Sequence, residues 1–163
     1  MIFTRELYLN QLIQKKQNGM VKIITGLRRC GKSFLLFNLF YNKLISQGVP
    51  ESHIIKIPLD NLDFIELRDK ISLYKFIKSK ITDNQQYYCF LDEIQLVKGF
   101  EEVLNSLLHI QNIDVYVTGS NSRFLVKDVI TEFRGRGDEI RLYPLSFKEF
   151  FEQSDEFFQR TWL

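Results

Sequence analysis

The sequence lacks three features of membrane and secreted proteins. No run of about eighteen apolar residues occurs, so we expect no transmembrane helix. The opening Met1-Ile2-Phe3, followed by Arg5 and Glu6, lacks the charged-then-apolar order of a signal peptide. The two cysteines, Cys30 and Cys89, form neither a disulfide framework nor a metal-ligand spacing. These absences predict a cytoplasmic protein without a membrane partner.

The sequence also has little excess of either charge and contains no internal repeat or low-complexity linker. Its 22 basic and 20 acidic residues leave a net charge of +2, which does not indicate a dedicated nucleic-acid binder. With 163 residues, of which 45% are apolar, the chain is expected to form one globular domain. We divide that domain into an N-terminal helix (1–19), a core (20–145) and a C-terminal helical segment (146–163).

A glycine-rich loop between an apolar run and a helical run carries the clearest chemical signal. The pattern G-x-x-x-x-G-K-S is typical of a loop whose backbone N–H groups hold the phosphates of a nucleoside triphosphate. Lys32 is expected to reach the β- and γ-phosphates as catalytic charge, and Ser33 to bind Mg²⁺. The predicted nucleotide contacts are Gly26, Leu27, Arg28, Arg29, Cys30, Gly31, Lys32, Ser33 and Phe34.

Apolar periodicity predicts strands that alternate with helices. Helices are expected over 5–17, 32–45, 71–81, 100–110 and 146–153, and strands over 21–25, 54–59, 87–91, 114–118 and 139–143. Pro58 favours an edge position for the second strand because proline cannot donate to a sheet ladder. Residues 60–63 and 134–137 are predicted loops, and 124–133 a broken helix. This alternation predicts an α/β fold with a mostly parallel sheet and a ligand site at the carboxyl ends of the strands.

Two adjacent carboxylates follow the apolar run 87–91. Asp92 is predicted to hold Mg²⁺, directly or through water, and Glu93 to orient and deprotonate the water that attacks the γ-phosphate. Adjacent carboxylates alone usually mark a solvated loop. Their place at the end of a buried strand, sixty residues after Lys32, favours a catalytic pair.

The next strand ends in Thr118-Gly119-Ser120-Asn121. A small polar side chain at that point is suited to contact the γ-phosphate or the attacking water and so to sense whether the phosphate is present. Asn121 is slightly favoured over Ser120 for this role. The alternative is a glycine turn in which Asn121 caps the following segment.

Arg136 lies in the predicted loop 134–137 and is our candidate for an arginine finger. A finger inserts beside the γ-phosphate of a neighbouring subunit and stabilises charge in the transition state. The alternative is a solvated basic turn or a contact with nucleic-acid phosphate.

Several other residues carry reactive or charged side chains. Cys30 lies inside the phosphate loop, and we hypothesise that its alkylation blocks nucleotide binding. Arg28 and Arg29 are suited to touch the nucleotide or a partner, and the sequence does not assign which does so. His53 and His109 have no partners at a telling spacing and are interpreted as structural.

Together these motifs resemble one known family, the prokaryotic AAA-type P-loop ATPases, whose N-terminal AAA domain is usually followed by a domain similar to restriction endonucleases. The matching segments are 24–33, 90–95, 117–122, 135–136 and 143–150. The resemblance implies a three-layer α/β/α fold of the additional-strand catalytic-glutamate division, with strand order 5-1-4-3-2. It also implies ATP as nucleotide, Asp92 and Glu93 as the metal and catalytic pair, and a sensor at Ser120 or Asn121.

The sequence departs from that family by ending at Leu163, where relatives continue, so we expect a fragment that lacks a helical lid and a C-terminal domain. Its apolar last stretch is expected to be covered by that missing domain or by a second copy of the chain. The predicted function is MgATP hydrolysis to ADP that drives a conformational change in an attached domain or partner. The alternatives are a slow nucleotide-controlled DNA-binding switch and a P-loop phosphotransferase.

Overall fold

The computed structural model describes residues 3–119, 135–147 and 149–151. Its strands are β1 (Val21–Gly26), β2 (Ile54–Pro58), β3 (Tyr87–Asp92), β4 (Ile113–Thr118) and β5 (Gly137–Leu142). Its α-helices are α1 (Glu6–Gln14), α2 (Lys32–Phe34), α3 (Tyr41–Ser46), α4 (Lys70–Lys80) and α5 (Phe100–Leu108). A π-helix (Leu35–Phe40) joins α2 to α3, and short 3-10 helices cover Glu51–His53, Leu62–Arg68 and Ile94–Leu96.

The five strands form one parallel sheet in the order β2-β3-β4-β1-β5. This is the predicted order 5-1-4-3-2 counted from the other edge, and it confirms the predicted α/β fold. β2 lies at an edge, as Pro58 indicated. β4 lies between β1 and β3, so the carboxyl end of β4 is flanked by the ends of both strands that carry the predicted chemistry.

Apolar side chains cover both faces of the sheet. Consecutive residues of a strand point to opposite faces, and in β1 Ile23 belongs to one buried cluster while Ile24 belongs to the other. The first cluster packs the sheet against α4 and α5, and the second packs it against α1 and the helix that follows the glycine-rich loop. The sheet is therefore the middle of three layers.

The helix after the glycine-rich loop differs from the predicted uniform helix 32–45. It runs through α2, the π-helix and α3 with helical backbone angles at both junctions. Leu35, Leu36 and Phe40 are fully buried, and one side of Phe40 packs on Tyr116 with ring centroids 4.8 Å apart. A second difference is the 3-10 helix Leu62–Arg68, whose first residues were predicted to form a loop.

A buried ion pair joins β1 to β4 near the amino ends of the parallel strands. The Lys22 ammonium contacts the Asp114 carboxylate and donates to the Met20 carbonyl at 2.9 Å and to Asn18 Oδ1 at 3.1 Å. The Tyr116 hydroxyl donates to the other Asp114 oxygen at 2.7 Å. Burial lowers the pKa of Lys22, and the Asp114 charge offsets part of this shift.

The N-terminal helix holds the segment that leaves β5. Arg5 donates to the carbonyl of Tyr143, lies 3.4 Å from a carboxylate oxygen of Glu149 and stacks over the Tyr8 ring. Glu149 accepts from the backbone N–H of Ser146 at 2.8 Å, and the Ser146 hydroxyl accepts from Glu149 N at 3.2 Å, which confirms the predicted capping box. None of the helices in the described ranges has the length and hydrophobicity needed to cross a bilayer.

Candidate nucleotide-binding site

The glycine-rich loop leaves the carboxyl end of β1 at Gly26, where the chain passes close to β5. Gly26 has φ +141°, and a Cβ there would overlap the carbonyl oxygen of Leu142 and lie 3.1 Å from the sulfur of Cys30. A residue with a side chain is thus excluded both by its backbone angle and by this close approach. The turn after β1 therefore requires glycine.

The rest of the loop turns back into the helix with two residues at positive φ. These are Arg29 at +62° and Gly31 at +93°. The Leu35 N–H then donates to the Gly31 carbonyl at 2.8 Å, which begins the helix. The Leu27, Arg28 and Arg29 side chains are exposed. This loop geometry is of the kind that turns successive N–H groups toward an anion.

Lys32 is buried to 5% exposure, although its residue type is rarely buried. Its ammonium donates to the carbonyl oxygens of Gly26 at 3.1 Å and Leu27 at 2.8 Å. A positive charge is thereby held under the loop by two neutral acceptors. Phosphate oxygens are stronger partners for an ammonium than carbonyls are, so this lysine is suited to exchange these contacts for a bound phosphate.

Ser33 and Asp92 bring the loop and β3 together. The Ser33 hydroxyl donates to Asp92 Oδ1 at 2.9 Å, and the Thr118 hydroxyl donates to the same oxygen. Burial raises the pKa of Asp92 above its ordinary value, and the two hydroxyl donors oppose this shift. No group of three or more His, Cys, Asp or Glu side chains in the described ranges is arranged to hold a metal. A hydroxyl beside one carboxylate instead fits Mg²⁺, which takes a few protein oxygens together with phosphate oxygens.

Glu93 follows Asp92 in a left-handed turn with φ +54° and is partly buried. Its backbone N–H donates to the Thr118 hydroxyl at 3.2 Å. Thr118 therefore contacts both acidic residues, a role that sequence reasoning missed although it had singled out the 118–121 segment. Ser120 and Asn121, the predicted sensors, lie outside the described residues.

The remaining predicted site residues lie at different distances from this cluster. Cys30 is partly exposed, and its thiol donates a 3.8 Å hydrogen bond to the Leu142 carbonyl. Phe34 is 40% exposed at the start of the helix. Arg136 is exposed, and its carbonyl accepts from Val21 N at 2.9 Å. It therefore lies at the amino ends of the parallel strands. The whole length of β1, roughly 17 Å, separates Arg136 from the loop of its own chain.

Comparison with protein-family models shows to which family the chain belongs. Residues 18–151 match the model of a family described as "AAA domain". The chain belongs to the AAA domain family. The match covers all five strands, the glycine-rich loop and both acidic residues of this AAA domain, and it makes the chain an AAA-type P-loop ATPase domain. The restriction-endonuclease-like C-terminal domain stays a prediction.

Two longer proteins are similar to this AAA domain. An uncharacterized protein of Haemophilus influenzae is 37% identical over 150 residues, which are 91% of this chain and 37% of that protein. An uncharacterized protein of Methanocaldococcus jannaschii is 33% identical over 134 residues, which are 80% of this chain and 28% of that protein. The chain thus spans well under half the length of these relatives.

Solved structures share the fold at low sequence identity. AMPPCP-bound DnaA from Aquifex aeolicus superposes with a TM-score of 0.62 at 16% identity, over 97% of this chain and 51% of DnaA. A chain of the structure of Drosophila ORC bound to AT-rich DNA and Cdc6 gives a TM-score of 0.57 at 10% identity, over 87% of this chain and 56% of that chain. These likenesses support the AAA-type fold.

Proposed function

We propose that this AAA domain binds MgATP and hydrolyses it to ADP and phosphate, and that hydrolysis drives a conformational change in an attached domain or partner. The observation that carries the proposal is the 2.9 Å hydrogen bond from Ser33 to Asp92. It brings together the two residue types that bind Mg²⁺ beside a phosphate-binding loop. The buried Lys32 ammonium supplies positive charge to the same loop.

The proposed reaction assigns one task to each residue. Ser33 and Asp92 would hold Mg²⁺, and a bound Mg²⁺ would neutralise charge on the phosphates. Lys32 contacts the β- and γ-phosphates. Glu93 accepts a proton from water as the water oxygen bonds to the γ-phosphorus. The bond from that phosphorus to the bridging oxygen breaks, and ADP keeps the electron pair.

Two variants separate binding from turnover. Lys32→Ala is expected to lose ATP binding, measured by fluorescence anisotropy of a labelled ATP analogue, because the loop loses its buried cation. Glu93→Gln is expected to bind with wild-type affinity and to lose hydrolysis by about 10² or more, since it lacks the base. Lys43→Ala and Glu66→Gln, which change exposed residues, are the matched controls. Wild-type turnover in Glu93→Gln would refute the catalytic assignment.

A second candidate function is a nucleotide-controlled DNA-binding switch, and the charge of α4 favours it. This helix carries Lys70, Lys75, Lys78 and Lys80 and no acidic residue, and the last three lysines are exposed. Lysines on one element are the usual contacts to a nucleic-acid backbone. ORC, which shares the fold, was solved bound to DNA.

A gel shift over a series of salt concentrations, with ATP, ADP or no nucleotide, tests the switch. We expect the triple change of Lys75, Lys78 and Lys80 to Gln to weaken DNA binding and to reduce its salt dependence by about three charges. Changing Lys15, Lys16 and Lys43 to Gln matches the charge loss elsewhere on the chain. Equal binding by both triple variants would refute the α4 surface.

A further inference from the structure

The turn that follows β3 fixes the position of the proposed base. Glu93 adopts a left-handed conformation with φ 54° and ψ 48°, and the 3-10 helix Ile94–Leu96 follows directly. The Leu96 N–H donates to the Glu93 carbonyl at 3.0 Å, and the Val97 N–H donates to the Ile94 carbonyl at 3.0 Å. The backbone from Glu93 to Val97 is therefore hydrogen-bonded to itself.

This turn is anchored in the core on one side. Ile94 and Val97 are fully buried and belong to the cluster under α4 and α5. Gln95 lies between them in sequence, is only partly buried, and directs its amide toward the site, where Nε2 donates to Glu93 Oε2. The rigid backbone and the two buried anchors thus define where this amide sits.

We propose that Gln95 is a positioning residue that orients the Glu93 carboxylate for proton transfer, an inference that rests on the proposed ATP hydrolysis. The Thr118 hydroxyl holds the Glu93 backbone N–H at 3.2 Å, and the Gln95 amide holds one carboxylate oxygen. Together they restrict the side chain at both its ends. General bases act efficiently only within hydrogen-bond reach of the proton that they take, and displacement by about 1 Å costs up to roughly 10² in rate.

Gln95→Glu and Gln95→Met test the role. The first keeps the length and puts a negative charge beside Glu93, and the second removes the donor without adding charge. Both are expected to lower kcat at least about tenfold and to leave KM within about twofold, because Gln95 acts through Glu93 and not on the nucleotide.

Gln47→Glu is the matched control, because it adds the same charge on an exposed residue at the far end of α3. It should leave kcat and KM unchanged. If Gln95 served only to stabilise the turn, both Gln95 variants would lower the melting temperature and keep the wild-type kcat. That result overturns the inference while leaving ATP hydrolysis intact.

A spectroscopic measurement decides the contact even if the wild-type chain hydrolyses no ATP, an outcome that would refute the proposed function alone. The side-chain ¹⁵N–H signals of Gln95, assigned by their loss in Gln95→Glu, are expected to differ in chemical shift between the wild type and Glu93→Gln, because the amide donates to a Glu93 carboxylate oxygen. Gln95 signals that are the same in the wild type and in Glu93→Gln overturn the inference.

Discussion

The hydroxyl of Ser33 and the carboxylate of Asp92 are joined by a 2.9 Å hydrogen bond although 59 positions separate them in the sequence. Ser33 lies in the first turn of the helix after the glycine-rich loop, and Asp92 ends β3. Their contact makes one site out of two motifs, across β4. Asp92 is only 5% exposed. A buried charge of this kind lowers the stability of the nucleotide-free protein.

Asp92→Asn is therefore expected to stabilise the nucleotide-free protein at neutral pH. Asn keeps an oxygen that accepts from Ser33 and Thr118 but carries no charge. Replacing a residue kept for function commonly adds on the order of 1 kcal/mol to the free energy of unfolding, or about 2–4 °C in Tm for a chain of this size. Calorimetry in EDTA without nucleotide measures the gain.

The gain should depend on pH in a defined direction. Because the folded pKa of Asp92 is raised, the folded state binds its proton more tightly than the unfolded state does. Stability is lost as pH rises from the ordinary value of about 3.9 through the raised one. The advantage of Asp92→Asn should grow through that window and vanish below it. A gain that is independent of pH, or an equal gain in exposed Asp63→Asn, would contradict this account.

Most of the fold was predictable because its signals are local. Each strand was found from a short apolar run, and the resemblance to the AAA-type P-loop ATPases then implied the strand order. The π-helix Leu35–Phe40 was missed, because the apolar pattern over 32–45 predicts a helix without distinguishing a π-helix from an α-helix. The 3-10 helix Leu62–Arg68 was also missed, because its start resembles a loop. Its cap is a side-chain contact in which the Asp63 N–H donates to Asn61 Oδ1 at 3.0 Å.

The site was less predictable, and Thr118 shows why. A threonine at the end of a strand is ordinarily explained by its β-propensity. Its contact with Asp92 depends on the register of β3 on β4, in which Leu91 pairs with Val117. That pairing sets the two following residues side by side. Register between parallel strands is a tertiary property, so the sequence alone does not reveal this hydrogen bond.

Gly26→Ala is expected to be more destabilising than replacement of an ordinary glycine. Gly48 also has positive φ, +87°, but a Cβ there would meet nothing within 4 Å. Gly48→Ala should therefore cost only the conformational penalty, about 1–2 kcal/mol. Gly26→Ala adds overlap with the Leu142 carbonyl and should cost about 2 kcal/mol more. Urea denaturation compares the two, and equal losses would show that the close approach is unimportant.

Alkylation of the native protein is expected to modify Cys30 and to spare Cys89. Cys89 is fully buried, and burial raises its pKa far above the ordinary range, so it serves as an internal control. Carbamidomethylated Cys30 should block ATP binding, because the added group occupies the loop beside Leu142. Saturating MgATP should slow the labelling about tenfold or more, as followed by mass spectrometry. Equal rates with and without MgATP would contradict the predicted place of Cys30.

The buried Lys22–Asp114 ion pair lies at the amino ends of the strands, away from the glycine-rich loop. It should affect the free energy of unfolding without affecting nucleotide binding. Asp114→Ala leaves the fully buried Lys22 ammonium without its counter-charge and is expected to cost about 3–5 kcal/mol. Adding Lys22→Met removes that charge, so the double variant should be the more stable of the two. Denaturant unfolding measures both, with ATP affinity as the functional control. A double variant less stable than Asp114→Ala would refute this explanation.

The position of Arg136 leads to a prediction about subunits. Arg136 lies at the amino ends of the parallel strands, and the glycine-rich loop lies at their carboxyl ends. An arginine finger at this position therefore acts only on a neighbouring copy. Arg136→Ala should keep ATP affinity and lose turnover by about 10³. Arg141→Ala, which replaces an exposed arginine in β5, should change neither. In a 1:1 mixture, Arg136→Ala subunits supply an intact loop and Lys32→Ala subunits supply an intact arginine. If the two variants mix at random in an oligomer, about one quarter of the interfaces combine both. Turnover in the mixture should rise toward that fraction of the wild-type rate, and a mixture no more active than its two components would contradict action across an interface.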